Sequence, residues 1–180
     1  GLYVEGAHGY AGLFGVVGML GRNTKAEVKN LRVEGKVFVE RVFYAGGVAE
    51  FVGNGAKITG CSFQGTVETT VDNRATAGYT GYTGGIAGYN FGTISECTVL
   101  NSDISGKNQY TTAGGAVYVA GIVAANNTGT ISECAVNNST ITGTNENRTS
   151  QNLVGGIAAD NIVGTIEDCK VINGSVSTFG

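Results

Sequence analysis

Apolar positions along the chain recur in spaced blocks rather than in one continuous helical or strand period. Each block opens on Gly followed by apolar and small residues: Gly12-Leu13-Phe14-Gly15, Gly47-Val48-Ala49-Glu50, Gly85-Ile86-Ala87-Gly88, Gly121-Ile122-Val123-Ala124 and Gly156-Ile157-Ala158-Ala159. The opening glycines are 35, 38, 36 and 35 residues apart. A second block follows each anchor, with Val28, Ile58, Ile94, Ile131 and Ile166 leading it and Val33, Phe63, Val99, Val136 and Val171 closing it. A third apolar column holds Val37, Val67, Ile104, Ile141 and Val176. Columns kept in register at this period mark a solenoid or a propeller. Propeller blades need antiparallel hairpins, and Asn-Gly and Asp-Gly turn signals are few. Inward residues that line up copy upon copy are instead what parallel stacking requires.

The pattern therefore predicts an all-β chain, a right-handed parallel β-helix (β-solenoid) of about five coils with long loop extensions. The hand follows the rule for parallel crossovers. Each coil is expected to carry three strands, at the anchor, around the second block and at the third column. Coils about 4.8 Å apart make a stack roughly 24 Å tall. Residues 1–180 form one repeat domain, with copies at about 9–43, 44–81, 82–117, 118–152 and 153–180. An insertion of about residues 18–25 interrupts the first copy, and polar extensions follow the third strand at about 68–81, 106–116 and 143–152. The fifth copy stops before its extension. The expectation is a piece excised from a longer protein, with neighbouring domains of the same chain covering the bare coil ends.

Composition now has an explanation. The chain holds 31 Gly and no Pro. Corners recurring in every coil call for Gly, and backbone N–H groups that donate to the next coil exclude Pro. Charged residues are 14% and the formal net charge is -3, which gives no nucleic-acid footprint. Residues 1–57 hold seven Lys/Arg and five Asp/Glu, against four and nine in residues 58–180. This gradient reads as a screened surface effect. No apolar run reaches membrane-spanning length, so no membrane insertion is expected.

All four cysteines, Cys61, Cys97, Cys134 and Cys169, share a column with Leu31. A position shared with Leu favours small buried thiols, and parallel side-chain vectors give poor disulfide geometry. Asn101, Asn138 and Asn173 share a column with Gly35 and Gly65. Asn and Gly interchange where the backbone turns left-handed, so this column marks a corner carrying a ladder of stacked amides. An Asn-lined ligand groove is the alternative. Tyr44, Tyr82 and Tyr118 precede their anchor Gly by three residues. Parity with Val48, Ile86 and Ile122 places them in the core, against the alternative of a sugar-binding aromatic strip.

Candidate chemistry is sparse. His8 is the one histidine, and no triad or zinc motif surrounds it. Glu96, Glu133 and Asp168 precede their cysteines and should point outward as an acidic column. The favoured reading is a solvated ladder. The alternative is a metal site of the kind by which β-helix polysaccharide lyases hold calcium against an acidic sugar. Thr93, Thr130 and Thr165 form an outward row that strand propensity explains without ice binding. Arg74, Tyr79, Tyr110 and Arg148 lie in the extensions and are the binding candidates, because loops on a rigid scaffold vary freely.

Gly12-Leu13-Phe14-Gly15 resembles the signature of the GLUG repeat, Gly-Leu-hydrophobic-Gly. Gly84 through Asn90 and Gly92 through Cys97 resemble its longer pattern, and residues 121–136 and 155–171 match it again. The second Gly is replaced by Glu50, Ala124 and Ala159. The resemblance implies a secreted bacterial repeat region, as in adhesin-like surface proteins or noncatalytic parts of immunoglobulin A peptidases, and it transfers no catalytic residue. The expected function is a noncatalytic structural or adhesive module, extracellular or at the cell surface, without a cofactor and with a host protein or glycan as partner. The alternatives are a β-helix polysaccharide lyase or glycan-binding domain, and an accessory module of a secreted metallopeptidase.

Overall fold

The computed structural model describes residues 1–6, 9–19, 21–71, 80–109, 115–147 and 150–180, with Val42 described in its backbone only. These residues form strands, turns and bends, with no helix among them. β1 (Leu2–Gly6) is followed by a first coil of β2 (Gly9–Ala11), β3 (Phe14–Val17), β4 (Glu27–Lys29) and β5 (Arg32–Glu40). The second coil is β6 (Val42–Gly46), β7 (Ala49–Val52), β8 (Lys57–Thr59) and β9 (Ser62–Val71). The third is β10 (Thr80–Gly84), β11 (Ala87–Asn90), β12 (Thr93–Ser95), β13 (Thr98–Leu100) and β14 (Asp103–Asn108). The fourth is β15 (Ala116–Ala120), β16 (Val123–Asn126), β17 (Thr130–Ser132), β18 (Ala135–Asn137) and β19 (Thr140–Asn145). The fifth is β20 (Asn152–Gly155), β21 (Ala158–Asn161), β22 (Thr165–Glu167), β23 (Lys170–Ile172) and β24 (Ser175–Phe179). Each strand pairs in parallel with its equivalents in the coils above and below, giving three five-stranded sheets and one of nine strands. This is a β-solenoid of about five turns.

The columns read from the sequence are the core. Val28, Ile58, Ile94, Ile131 and Ile166 stand in one register. So do Val33, Phe63, Val99, Val136 and Val171, and Val37, Val67, Ile104, Ile141 and Val176. In the middle coils these side chains are fully buried, each stabilising the stack by about 1.5–3 kcal/mol. At the last coil the same columns are open, with Ile166, Val171 and Val176 36%, 41% and 45% exposed. The anchor glycines are required by close approach. A Cβ at Gly85 or Gly121 would run into the carbonyl oxygen of the next anchor, and would lie 2.7 Å from Val99 Cγ2 or 2.6 Å from Val136 Cγ2.

Four expectations are corrected. Coils carry four or five short strands rather than three, because the chain bends at positions that carry ordinary residues. Asn30, Glu96, Glu133 and Asp168 all adopt φ between 51° and 55°, and Gly60 joins them at 63°. The acidic column is thus a left-handed corner between two strands, not a strand face. The Asn101, Asn138 and Asn173 column does not share a conformation with Gly35 and Gly65. The asparagines are left-handed corners at φ 48–51°, whereas Gly35 and Gly65, at φ 151° and 147°, lie inside the uninterrupted strands β5 and β9. One extra residue in the later coils makes the difference, since Ser62 pairs Thr98 but Thr66 pairs Asp103. The extensions are also shorter than expected, because β9, β14 and β19 run on to Val71, Asn108 and Asn145.

Candidate functional site

Two rows of aromatic rings occupy one outer corner of the solenoid. The first runs through Tyr10, Tyr44, Tyr82 and Tyr118, which pair strand to strand from β2 to β15, with Leu153 continuing the row in β20. Its ring centroids are 5.8, 5.3 and 4.8 Å apart. The second row holds Phe51 and Tyr89, stacked at 5.8 Å with 6° between planes, and flanked by Val16 on one side and Ala125 on the other. The rows meet nearly at right angles, at 80° for Tyr44 with Tyr89 and 73° for Tyr44 with Phe51. Phe91 leans on both Phe51 and Tyr89, at 5.4 and 5.2 Å.

The parity argument that put the tyrosines inside is therefore overturned for Tyr44 and Tyr82, which stay half-buried, while Tyr118 is buried. After β6 the chain bends at Gly47-Val48, and after β10 at Gly85-Ile86; face alternation does not survive a corner. The inward residues are the neighbours Ala45, Thr83 and Val119, buried completely. Thr83 and the buried Thr69 satisfy each other at 2.6 Å.

Where the rows converge, an open hollow of about 470 Å³ is lined by Tyr10, Val16, Tyr44, Glu50, Phe51, Tyr89 and Phe91. Glu50 stands between Gly15 and Gly88 in its column, because Ala49 pairs Phe14 and Ala87 while Phe51 pairs Val16 and Tyr89. The Glu50 carboxylate leans over Gly15, while Gly88 lets Tyr44 and the Ala45 backbone pack closely on the other side. Partial burial pushes the Glu50 carboxyl above the ordinary carboxylate range. The Tyr44, Tyr82 and Tyr118 hydroxyls are also pushed up, chiefly by burial, and Asp160 adds to the effect on Tyr82 and Tyr118.

Polar columns fill the interior. Asn90, Asn126 and Asn161 succeed Val17 and Val52 at one position. The Nδ2 of Asn90 donates to Oδ1 of Asn126 at 2.8 Å, Asn126 does the same to Asn161 at 2.9 Å, and Asn161 closes on the Gly164 carbonyl at 3.0 Å. Asn90 accepts the Gly92 N–H at 3.0 Å. A second amide pair links Asn108 to Asn145 at 3.0 Å. These are the amide ladders, whereas Asn101, Asn138 and Asn173 are exposed corners. The signal was present in the sequence, since each ladder Asn follows its anchor Gly by five residues.

The cysteines are free thiols, three of them buried. Cys97, Cys134 and Cys169 donate to the carbonyls of Ser95, Ser132 and Glu167 at 3.1–3.2 Å, closing the left-handed corner each follows. Hydrogen bonds with Cys134 and Cys61, and burial, push the Cys97 thiol far up, away from thiolate reactivity.

Glu96, Glu133 and Asp168 are exposed. Among the described residues, no group of three His, Cys, Asp or Glu side chains could hold a metal ion. Arg74, Tyr79, Tyr110, Arg148 and His8 lie outside the described residues. Among the described residues, no helix is long and apolar enough to cross a membrane.

No family model and no curated protein matches the chain. Among solved structures it is similar to a candidate immunoglobulin A1 protease from Bacteroides ovatus, at 16% identity and a TM-score of 0.41. That likeness covers 86% of this chain and 66% of the other, just under two thirds of its length.

Proposed function

We propose that the chain is a noncatalytic structural or adhesive repeat module of a secreted or cell-surface bacterial protein. Unbroken register from coil to coil supports the structural part, since such a stack is a rigid spacer. The adhesive part is carried by one observation: two rows of rings, seated on the buried Phe51 and Tyr118, converge on an outer corner where Tyr10, Tyr44, Tyr89 and Phe91 keep part of their surface open. A contiguous apolar patch held open on a rigid scaffold is the usual mark of an interaction surface. The aromatic corner thus replaces the extension loops as the binding face of this reading.

The test is adhesion. Beads carrying the folded chain are expected to adhere to surfaces coated with host-cell glycoproteins, and beads carrying the double variant Tyr44→Ser, Phe51→Ser to lose most of that adhesion. Equal adhesion by both would remove the aromatic corner from the function. Calcium-dependent turnover of an acidic polysaccharide, abolished by Glu133→Gln, would replace the noncatalytic reading with an enzymatic one.

A further inference from the structure

We propose that the aromatic hollow is a binding site for a quaternary ammonium group, that of a small choline-type molecule. The proposal rests on the reading of the aromatic corner as the adhesive face and names what that face holds. Five rings, Tyr10, Tyr44, Phe51, Tyr89 and Phe91, bound the hollow together with one carboxylate, Glu50. Because the two rows stand at 73–80° to one another, the hollow is walled by rings in two orientations. Ring faces carry negative charge density and attract cations within about 6 Å of the centroid.

The charge at the site has the same sign. Among the described residues Glu50 forms no ion pair or hydrogen bond and no basic side chain lines the hollow, and a second carboxylate, Asp160, continues the row of Phe51 and Tyr89 two coils further on. A partly desolvated carboxylate without a cation is a cost that a bound cation would offset.

The kind of cation follows from the lining. A guanidinium brings five N–H donors and an ammonium three, and each needs an acceptor when withdrawn from water. The hollow offers one carboxylate and a few tyrosine hydroxyls. A trimethylammonium group has no N–H to satisfy and presents methyl groups to the ring faces. A sugar fits less well, because its hydroxyls need several polar partners. A phosphorylated headgroup is disfavoured too, because nothing basic is present to receive the phosphate. The acid stands at a departure from the repeat. Glu50 occupies the second glycine position of the anchor, and the Gly15 beside it leaves its carboxylate uncrowded on that side.

The test is a titration of the folded chain followed by its aromatic ring resonances. Choline is expected to give saturable shifts of the Tyr44, Phe51, Tyr89 and Phe91 rings. Its uncharged isostere, 3,3-dimethyl-1-butanol, is expected to bind roughly tenfold more weakly. Glu50→Gln should bring choline down toward the isostere, with an unchanged circular dichroism spectrum. Phe91→Ala should weaken it as well. Equal affinity for choline and the isostere would overturn the proposal, as would the absence of any ring shift. Tighter binding of phosphocholine, or of phosphatidylcholine vesicles, would overturn the assignment to an unphosphorylated molecule. Adhesion lost in the Tyr44→Ser, Phe51→Ser variant without any choline binding would sink this inference and leave the adhesive reading intact. Choline binding with unchanged adhesion would do the reverse.

Discussion

The first two coils and the last three solve one packing problem with different chemistry. At the position five residues after the anchor Gly, the early coils place Val17 and Val52, buried as aliphatic groups. The later coils place Asn90, Asn126 and Asn161 there, joined by amide hydrogen bonds. At the next face, the early coils run straight through Gly35 and Gly65 in single strands, whereas the later ones turn at Asn101, Asn138 and Asn173. The later turn is backed by buried serines: Ser102 N–H donates to Ser139 Oγ at 3.1 Å, and Ser102 Oγ to the Leu100 carbonyl at 2.8 Å. Backbone stacking is common to both regions and sets the architecture. The filler of an interior column is exchangeable, provided a polar filler finds its partner in an adjacent coil. The junction obeys this rule, since Asn90 borders Val52 and its Oδ1 turns to the Gly92 N–H of its own coil.

The largest expected effect attacks that rule directly. Asn126→Ala should cost about 2 kcal/mol, because it removes the partner of the buried Asn90 amide and the Asn126 bonds to Gly129 and Asn161. Changing all three asparagines to Val, as in the early coils, should cost less than the single change. Guanidinium unfolding at constant slope reads both. A triple variant that loses as much as the three single changes summed would show that the two halves are not interchangeable solutions.

A smaller effect concerns the corner before the cysteine. Glu133 holds φ 52° where the second coil has Gly60 at 63°. Glu133→Gly should raise stability by about 1 kcal/mol by relieving the left-handed penalty of a residue with a Cβ. Unchanged thermal stability would mean that something other than backbone strain selects the acid.

The smallest effect separates the two coils that bracket the hollow. Burial holds the Glu50 carboxyl above its ordinary range, so the unfolded chain ionises it at lower pH than the folded one does. The folded state is therefore penalised as pH rises through that window, and the penalty persists at neutral pH. Glu50→Gln should stabilise by less than about 1 kcal/mol at pH 7, solvent screening limiting the gain. The gain should vanish below about pH 4, where both states are protonated. A gain that grows on acidification would contradict the assignment.

The apolar columns were legible because inward residues at Ile94, Val99 and Ile104 must match their neighbours above and below. The corners were not, because Glu96 and Glu133 adopt left-handed backbone without glycine to announce it. The tyrosine face was misread for a related reason: alternation counts faces only along a strand, and the strand that holds Tyr44 ends at the Gly47-Val48 bend. The amide ladder was hidden by the two valines that begin its column, which broke the appearance of a conserved type. Glu50 was visible as a departure from the Gly-rich anchor, but its place beside the rings depends on a fold in three dimensions that no spacing encodes.

The unbroken strands β5 and β9 also carry a mechanical consequence. Nine consecutive residue pairs bind them, from Arg32 with Ser62 to Glu40 with Thr70. The last coil is held instead by short rungs of three to five pairs, interrupted at each corner. Tension applied at the C-terminal end therefore unzips the stack rung by rung, each a small step in force. The tear meets its longest seam only between the second coil and the first, where β5 and β9 act as a rip-stop.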